Sequence, residues 1–412
     1  MKQLITNIHQ LVNVRSENKL LKGTALAQLP VMDQAWLAIE NGLILDYGAM
    51  SALNQLQDSF DQTIDAAGAS VLPSWCDSHT HLVFAASRES EFVEKLKGMS
   101  YADIAAKGGG ILNSARKLQA CSEEELFQLA LPRLQEWMQL GTGAMEIKSG
   151  YGLTVDAELK MLRVIKRLKA VSPIPIKASF LGAHTYPLEY RDNHEAYIQL
   201  IIEEMLPVIA QEGLADFIDV FCEDGFFNKA ETIRICQAGA AIGLKAKIHA
   251  NQLSLSGGVE AGIAVNALSV DHLETMDETT IAALAASNTI GTLLPTAAYF
   301  LRMGYQPARA LINAGAAIAL ASDYNPGSSP SGNMNTVVSM ACIQMKMLPE
   351  EAINAATING AFAMELESEM GSICKGKRAN LIFTQPLSSL AYLPYSFGSN
   401  LIEKVMVSGK FI

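Results

Sequence analysis

The chain's strongest constraint on folding is a recurrence. Short apolar segments alternate with longer helical patterns through its middle, and nearly every one of those segments finishes on a residue able to do chemistry. Candidate strands end at 77–81, 144–148, 176–184, 217–223, 246–249, 268–272, 290–295 and 318–323, with helical patterns such as 123–139, 156–169 and 195–213 between them. Alternation of this kind is the mark of βα units and a parallel sheet. Periodicity alone leaves an open, doubly wound sheet in play. The strand ends decide for a closed (β/α)8 TIM-like barrel, because His79 and His81, Glu146 and Lys148, His184, Glu223, His249, His272 and Asp323 would then converge on one mouth. Of seven histidines in the chain, five lie at these ends, leaving only His9 and His194 outside.

The flanking texture differs. Before residue 73, short alternating segments such as Trp36-Leu37-Ala38-Ile39 and Leu43-Ile44-Leu45 are separated by Asn41-Gly42, a strong hairpin signal. The last fifty residues return to that texture at Leu381-Ile382-Phe383 and Val405-Met406-Val407. Each end alone is short of a core. Residues 1–72 and 362–412 are therefore expected to complete one small β-sandwich, with a barrel of residues 73–361 inserted between them.

Bulk properties narrow the function. Half of the 412 residues are hydrophobic and 18% are charged, as suits a large buried core rather than a disordered chain. A net charge of −11 argues against nucleic acid as partner. Six scattered cysteines without a C-x-x-C pair read as reduced thiols, Cys76 included as a small core residue. The first fourteen residues are too polar for a signal-peptide core, and the longest uncharged run, 279–301, is interrupted by Ser287, Asn288, Gly291 and Pro295. The expectation is a cytoplasmic protein with no membrane partner.

His79 and His81 sit two apart on a strand, so both imidazoles project to the same side and can reach one divalent cation. His249, ending Lys247-Ile248-His249, could add a third nitrogen, and Asp323, ending Leu320-Ala321-Ser322-Asp323, an oxygen. Four such ligands leave room for an activated water. His272 could instead polarise a substrate carbonyl.

The order His79-x-His81, His249, His272, Asp323 resembles the metal-dependent amidohydrolase superfamily. Within it, Ser149-Gly150-Tyr151-Gly152, Phe180-Leu181-Gly182-Ala183-His184 and Asn325-Pro326-Gly327-Ser328 resemble the imidazolonepropionase family. The resemblance implies a barrel flanked by a β-sandwich from both chain ends. It also implies hydrolysis of 4-imidazolone-5-propanoate, a small molecule, to N-formimidoyl-L-glutamate in histidine degradation. It further implies one zinc or iron ion held by His79, His81, His249 and Asp323, and a homodimer. Asp323 and His272 would be the catalytic pair. Arg88, a planar bidentate donor, would suit the propanoate. Tyr151, His184 and Gln252 would contact the substrate, and Asn325, Gly327 and Ser328 would surround substrate or product.

Three features test that resemblance against rivals. Binuclear relatives bridge two metals through a carbamylated lysine on the fourth strand, whereas Lys148 falls on the second and reads as structural. Deaminating relatives carry a glutamate where this chain has Gln252, and an amide cannot shuttle protons; a deaminase or another cyclic amidase stays as the alternative. A relative that assembles without catalysis would have lost its metal ligands, and this chain keeps all four. The Gly108-Gly109-Gly110 run, with Tyr101 upstream, is expected to form a lid over the mouth.

Overall fold

The structure, a computed structural model, describes residues 1–56, 59–99 and 109–412. Tyr101 and Gly108 of the expected lid lie outside them. Eight parallel strands follow one another in chain order around a sheet: Trp75–Asp77, Thr142–Lys148, Ile176–Ala183, Phe217–Cys222, Lys245–Ala250, Ser269–His272, Ile290–Leu293 and Ile318–Leu320. Their core-facing positions are filled by Ile147, Val220, Ile248, Val270 and Leu293, all fully buried. This is the barrel that the strand-end pattern requires.

Closure of the barrel does not come from strands one and eight themselves. It comes from the residues just past them. Asp323 N donates to His79 O (2.9 Å) and His81 N to Tyr324 O (2.8 Å), around a parallel bridge between Thr80 and Tyr324. Below it the Asp77 carboxylate accepts from Ser322 N (3.0 Å) and Ser322 Oγ (2.6 Å). The seam that shuts the barrel is therefore made of the same short segments that carry the expected ligands.

A second eight-stranded sheet is built from both chain ends. Its path runs Lys410–Phe411, Ile402–Val407, Leu381–Thr384, Ser70–Pro73, Lys2–Val12, Val31–Glu40, Leu43–Ala49, with Gln62–Asp65 also paired to Lys2–Val12. The Asn41-Gly42 signal is realised: both residues have positive φ (52° and 84°) between two antiparallel strands, as a two-residue hairpin demands. Ser70–Pro73 is the hinge of the design. It pairs parallel to Lys2–Val12 and antiparallel to Leu381–Thr384, and one residue later the chain enters the first barrel strand. At that junction Asn380 O accepts from Ser74 N (3.0 Å) and Asn380 Nδ2 donates to Gly143 O (3.0 Å). Gly143 is required there, because a Cβ would lie 1.7 Å from Ser74 Oγ.

The expected helices form at Glu123–Gln139 and Val155–Val171, the first opened by a reciprocal Ser122–Glu125 capping box. The third differs from expectation. Instead of one helix over 195–213, an α segment His194–Gln199 passes through a π-type turn, Leu200–Met205, into Leu206–Glu212. Pro207 explains it: lacking an N–H, it cannot bond back four residues, and the preceding turn widens.

Because Asp77 satisfies two buried donors at the seam, Asp77→Ala should destabilise the fold by about 2–4 kcal/mol, and Asp77→Asn by less. Denaturant unfolding of the two variants against the parent measures it; equal midpoints would refute a structural role for the seam contact.

Candidate active site

The strand ends bring His79, His81, His184, His249, His272 and Asp323 into one cluster, in which His184 is half-buried and the other five are at most 3% exposed. The rings of His79 and His249 lie 4.5 Å apart by centroid, and those of His81 and His184 stack at 5.5 Å. Two triplets could each hold a metal ion: His79, His81 and His249, and His79, His272 and Asp323, with one ligand atom of every member within 4.8 Å of the others. Asp323 Oδ1 stands 3.5 Å from His79 Nε2 and 3.6 Å from His81 Nε2.

The donor set fits a divalent cation for a reason visible in the hydrogen bonds. His79 Nδ1 faces Asp271 Oδ2 at 2.7 Å and His249 Nδ1 faces Asp219 Oδ1 at 3.1 Å. Each carboxylate fixes the proton on Nδ1 and leaves Nε2 with its lone pair. Those two Nε2 atoms, with His81 Nδ1, are buried and have no hydrogen-bond partner among the described residues. A buried unpartnered nitrogen is unfavourable unless something else completes it. Burial first, and after it Lys148 at His79 and His184 at His81, hold both well below the usual histidine range, so both are neutral, the state that metal ligation requires.

Beneath the histidines lies a basin of buried charge that the sequence reading left unassembled. Lys148 Nζ donates to Glu146 Oε1 (2.6 Å) and Asp219 Oδ2 (2.7 Å), and Lys247 Nζ pairs with Glu146 Oε2 and donates to Ser78 O (3.0 Å). Burial opposes the charge on Asp219, but His249 and Lys148 outweigh it and hold the carboxyl far below its ordinary range. Burial likewise opposes the Lys148 ammonium, and Asp219, Glu146 and Asp271 outweigh it. Lys148 is thus occupied as an ion-pair partner. The clue in the sequence was a charge set inside otherwise apolar strands, as in Phe217-Ile218-Asp219-Val220-Phe221, since a charge buried there needs a partner.

At the end of the sixth barrel strand, Ser269–His272, His272 occupies left-handed backbone (φ 86°), as does Asp323 (φ 51°) just past the eighth, a strained geometry for residues with a Cβ. His272 Nδ1 faces Glu274 Oε1 at 3.4 Å, and Gln306 Nε2 donates to the same oxygen at 2.9 Å. Burial disfavours the imidazolium, yet Glu274, then Asp323 and Asp271, outweigh it and raise His272 to about 9. Asp323 is itself raised, by burial above all.

The cavity over this cluster is lined by His81, Tyr151, His184, Gln252, His272, Asp323, Asn325 and Ser328, together with Phe221, which sequence reasoning missed. Tyr151 is held by its own turn, in which Glu158 accepts from Gly150 N, Gly152 N and Leu153 N. Asn325 Oδ1 accepts from Gly327 N (2.7 Å) and Ser328 N (2.8 Å), and Ser328 Oγ lies 3.3 Å from Asp323 Oδ2. Arg88 and Gly327 are not part of the cavity lining. They meet at its rim, where a Cβ on Gly327 would come within 2.4 Å of Arg88 Nη1.

The model of the amidohydrolase family matches residues 70–412. Full-length relatives are closer: imidazolonepropionase of Flavobacterium johnsoniae is 56% identical, covering 99% of both chains, and that of Christiangramia forsetii is 53% identical over the whole of both. The chain belongs to the amidohydrolase family, and within it to the imidazolonepropionases. Among solved amidohydrolase-type folds, a zinc-bound adenosine deaminase from Xanthomonas campestris superposes with a TM-score of 0.71 at 17% identity (99% of this chain, 92% of that one). The E. coli guanine deaminase reaches 0.73 at 11% identity, over 100% and 99%. At those identities the likeness is one of fold. No helix among the described residues is long and apolar enough to cross a membrane.

Two outcomes follow from the charges. Lys148→Met takes the shared cation from Glu146 and Asp219, leaving Lys247 alone against the buried carboxylates, and should destabilise by about 3–5 kcal/mol, read by chemical unfolding. In metal-free protein, His272 has a folded pKa above its unfolded one, so its stabilisation is complete below pH 6.5 and is lost as pH rises through about 9. Glu274→Gln should flatten that part of the stability–pH curve; an unchanged curve would show that Glu274 does not hold the charge.

Proposed function

We propose that the chain hydrolyses 4-imidazolone-5-propanoate to N-formimidoyl-L-glutamate, using one divalent ion, zinc or iron, held by His79, His81, His249 and Asp323. The observation that carries the reading is the pair of carboxylate-oriented histidines, His79–Asp271 and His249–Asp219, whose inward nitrogens are buried and unpartnered beside Asp323. Full-length identity to imidazolonepropionases supports the substrate. A bound divalent ion supplies Lewis acidity and lowers the pKa of a water in the site.

The protein's own groups do the remaining work. Asp323, its carboxyl raised above the ordinary range by burial, takes a proton from the attacking water and returns it to the leaving ring nitrogen. The water oxygen joins the ring carbonyl carbon, and that carbon's bond to nitrogen breaks. His272, with Nδ1 committed to Glu274, has Nε2 for a hydrogen bond to the developing oxyanion. Tyr151, His184 and Gln252 surround the ring. His184, pushed down to about 3 by burial first and by His249 next, is neutral and receives or gives a hydrogen bond without adding charge. Asn325, Gly327 and Ser328 form the facing turn, and Arg88 receives the propanoate. Gln252 cannot act as the acid–base group that ring deamination needs, and Lys148 is committed to two carboxylates rather than to a bridging carbamate. The same reading carries a cytoplasmic location and a homodimer.

Metal content per chain and loss of imidazolone absorbance test it together. Parent protein should carry one transition metal and turn substrate over; chelation should abolish turnover and metal return restore it. Asp323→Asn, metal-loaded, should lose nearly all activity, on the order of a thousandfold or more as for other residues essential to proton transfer. Near-normal turnover in that variant, or ammonia release from a purine or pyrimidine by the parent, would sink the proposal.

A further inference from the structure

Arg88 does not reach the rim as a loose side chain. Its Nε and Nη2 both donate to one oxygen of Glu91, Oε2, at 2.8 and 2.5 Å. The other oxygen, Oε1, accepts from Gly110 N at 3.0 Å. Gly110 is the N-cap of the helix Ile111–Ala120, has φ 81°, and that helix has no side-chain cap of its own. One carboxylate, itself 7% exposed, thus joins the guanidinium to the start of a helix. Burial opposes its ionisation, but Arg88 and the Gly110 N–H outweigh it and keep the carboxyl below its ordinary range.

The geometry also says which part of Arg88 is left. Glu91 takes the Nε edge, so Nη1, which makes no hydrogen bond among the described residues, points over Gly327 where no Cβ stands in the way. An arginine carries five donors in a rigid fork, and an unpinned one loses rotamer freedom each time it binds. With the fork pinned beforehand, that loss does not recur on binding.

Resting on the substrate reading above, we propose that Glu91 is a positioning residue for substrate binding: through the Arg88 fork and Gly110 it fixes the carboxylate-recognising Nη1 edge over Gly327. Glu91 touches no reacting atom. Its effect falls on recognition of a substrate carboxylate and leaves the hydrolytic step alone.

The experiment compares metal-loaded parent, Glu91→Gln and Glu91→Ala, each first confirmed folded by thermal unfolding. For 4-imidazolone-5-propanoate, Glu91→Ala should raise KM roughly tenfold with kcat little changed, the size expected from freeing one rotamer-rich side chain, and Glu91→Gln should fall between. For the uncharged propanamide analogue, kcat/KM should be the same in all three. A parallel arm titrates imidazole-4-propanoate calorimetrically, where Glu91→Ala should bind roughly tenfold more weakly. Equal loss on the acid and the amide, or a drop confined to kcat, would reduce Glu91 to a structural role and overturn the proposal, as would unchanged KM and affinity. Should the parent neither turn over the acid nor bind the analogue, the substrate reading fails and the clamp falls with it. Should the parent do both and Glu91→Ala match it, the clamp alone fails.

Discussion

Everything at the mouth of this barrel stands on five buried charges. Glu146, Asp219 and Asp271 face Lys148 and Lys247 inside the strands, with three negative groups against two positive ones. Taking such groups out of water is strongly unfavourable unless their geometry and further hydrogen bonds offset it. Here the excess carboxylate charge is directed upward: Asp219 turns its second oxygen to His249, and Asp271 turns to His79 the same oxygen that faces Lys148. The core therefore sets which nitrogen of each histidine carries a proton. Ligand chemistry at the surface of the barrel is decided one layer below it.

That arrangement explains why so much of the site could be read from the chain and why its foundation could not. Strand-end residues announce themselves through period-two alternation and residue type, so His79, His81, His249, His272 and Asp323 were legible as a set. The pairing of Lys148 with Asp219, or of Lys247 with Glu146, links strands far apart in sequence and appears only once the barrel is closed. Glu274 and Gln306 escaped for the same reason, since their meeting depends on a loop that precedes a later helix. The π-type turn at Leu200–Met205 is a local departure with a local cause, Pro207, and a stricter reading of proline would have split that helix.

The mouth also separates two kinds of order. Beneath, partners are fixed by buried charge. Around the rim, turns do the holding: Glu158 gathers three backbone N–H groups under Tyr151, and Asn325 gathers two under Ser328. Each turn presents a side chain to the cavity while its backbone donors are satisfied internally, which leaves the polar lining available to a ligand.

The central position of Ser70–Pro73 has a consequence for biosynthesis. This strand is flanked by Lys2–Val12 on one side and by Leu381–Thr384 on the other, with the whole barrel between them in the chain. As the chain leaves the ribosome, its first sheet emerges early with one edge bare, and the partner for that edge is translated only after the whole barrel. An unpaired, largely apolar edge is a template for association with other nascent chains. The inserted barrel must therefore fold while that edge waits, which makes residues 381–407 the lock on the whole molecule and shortening the C-terminus a route to aggregation rather than to a smaller enzyme.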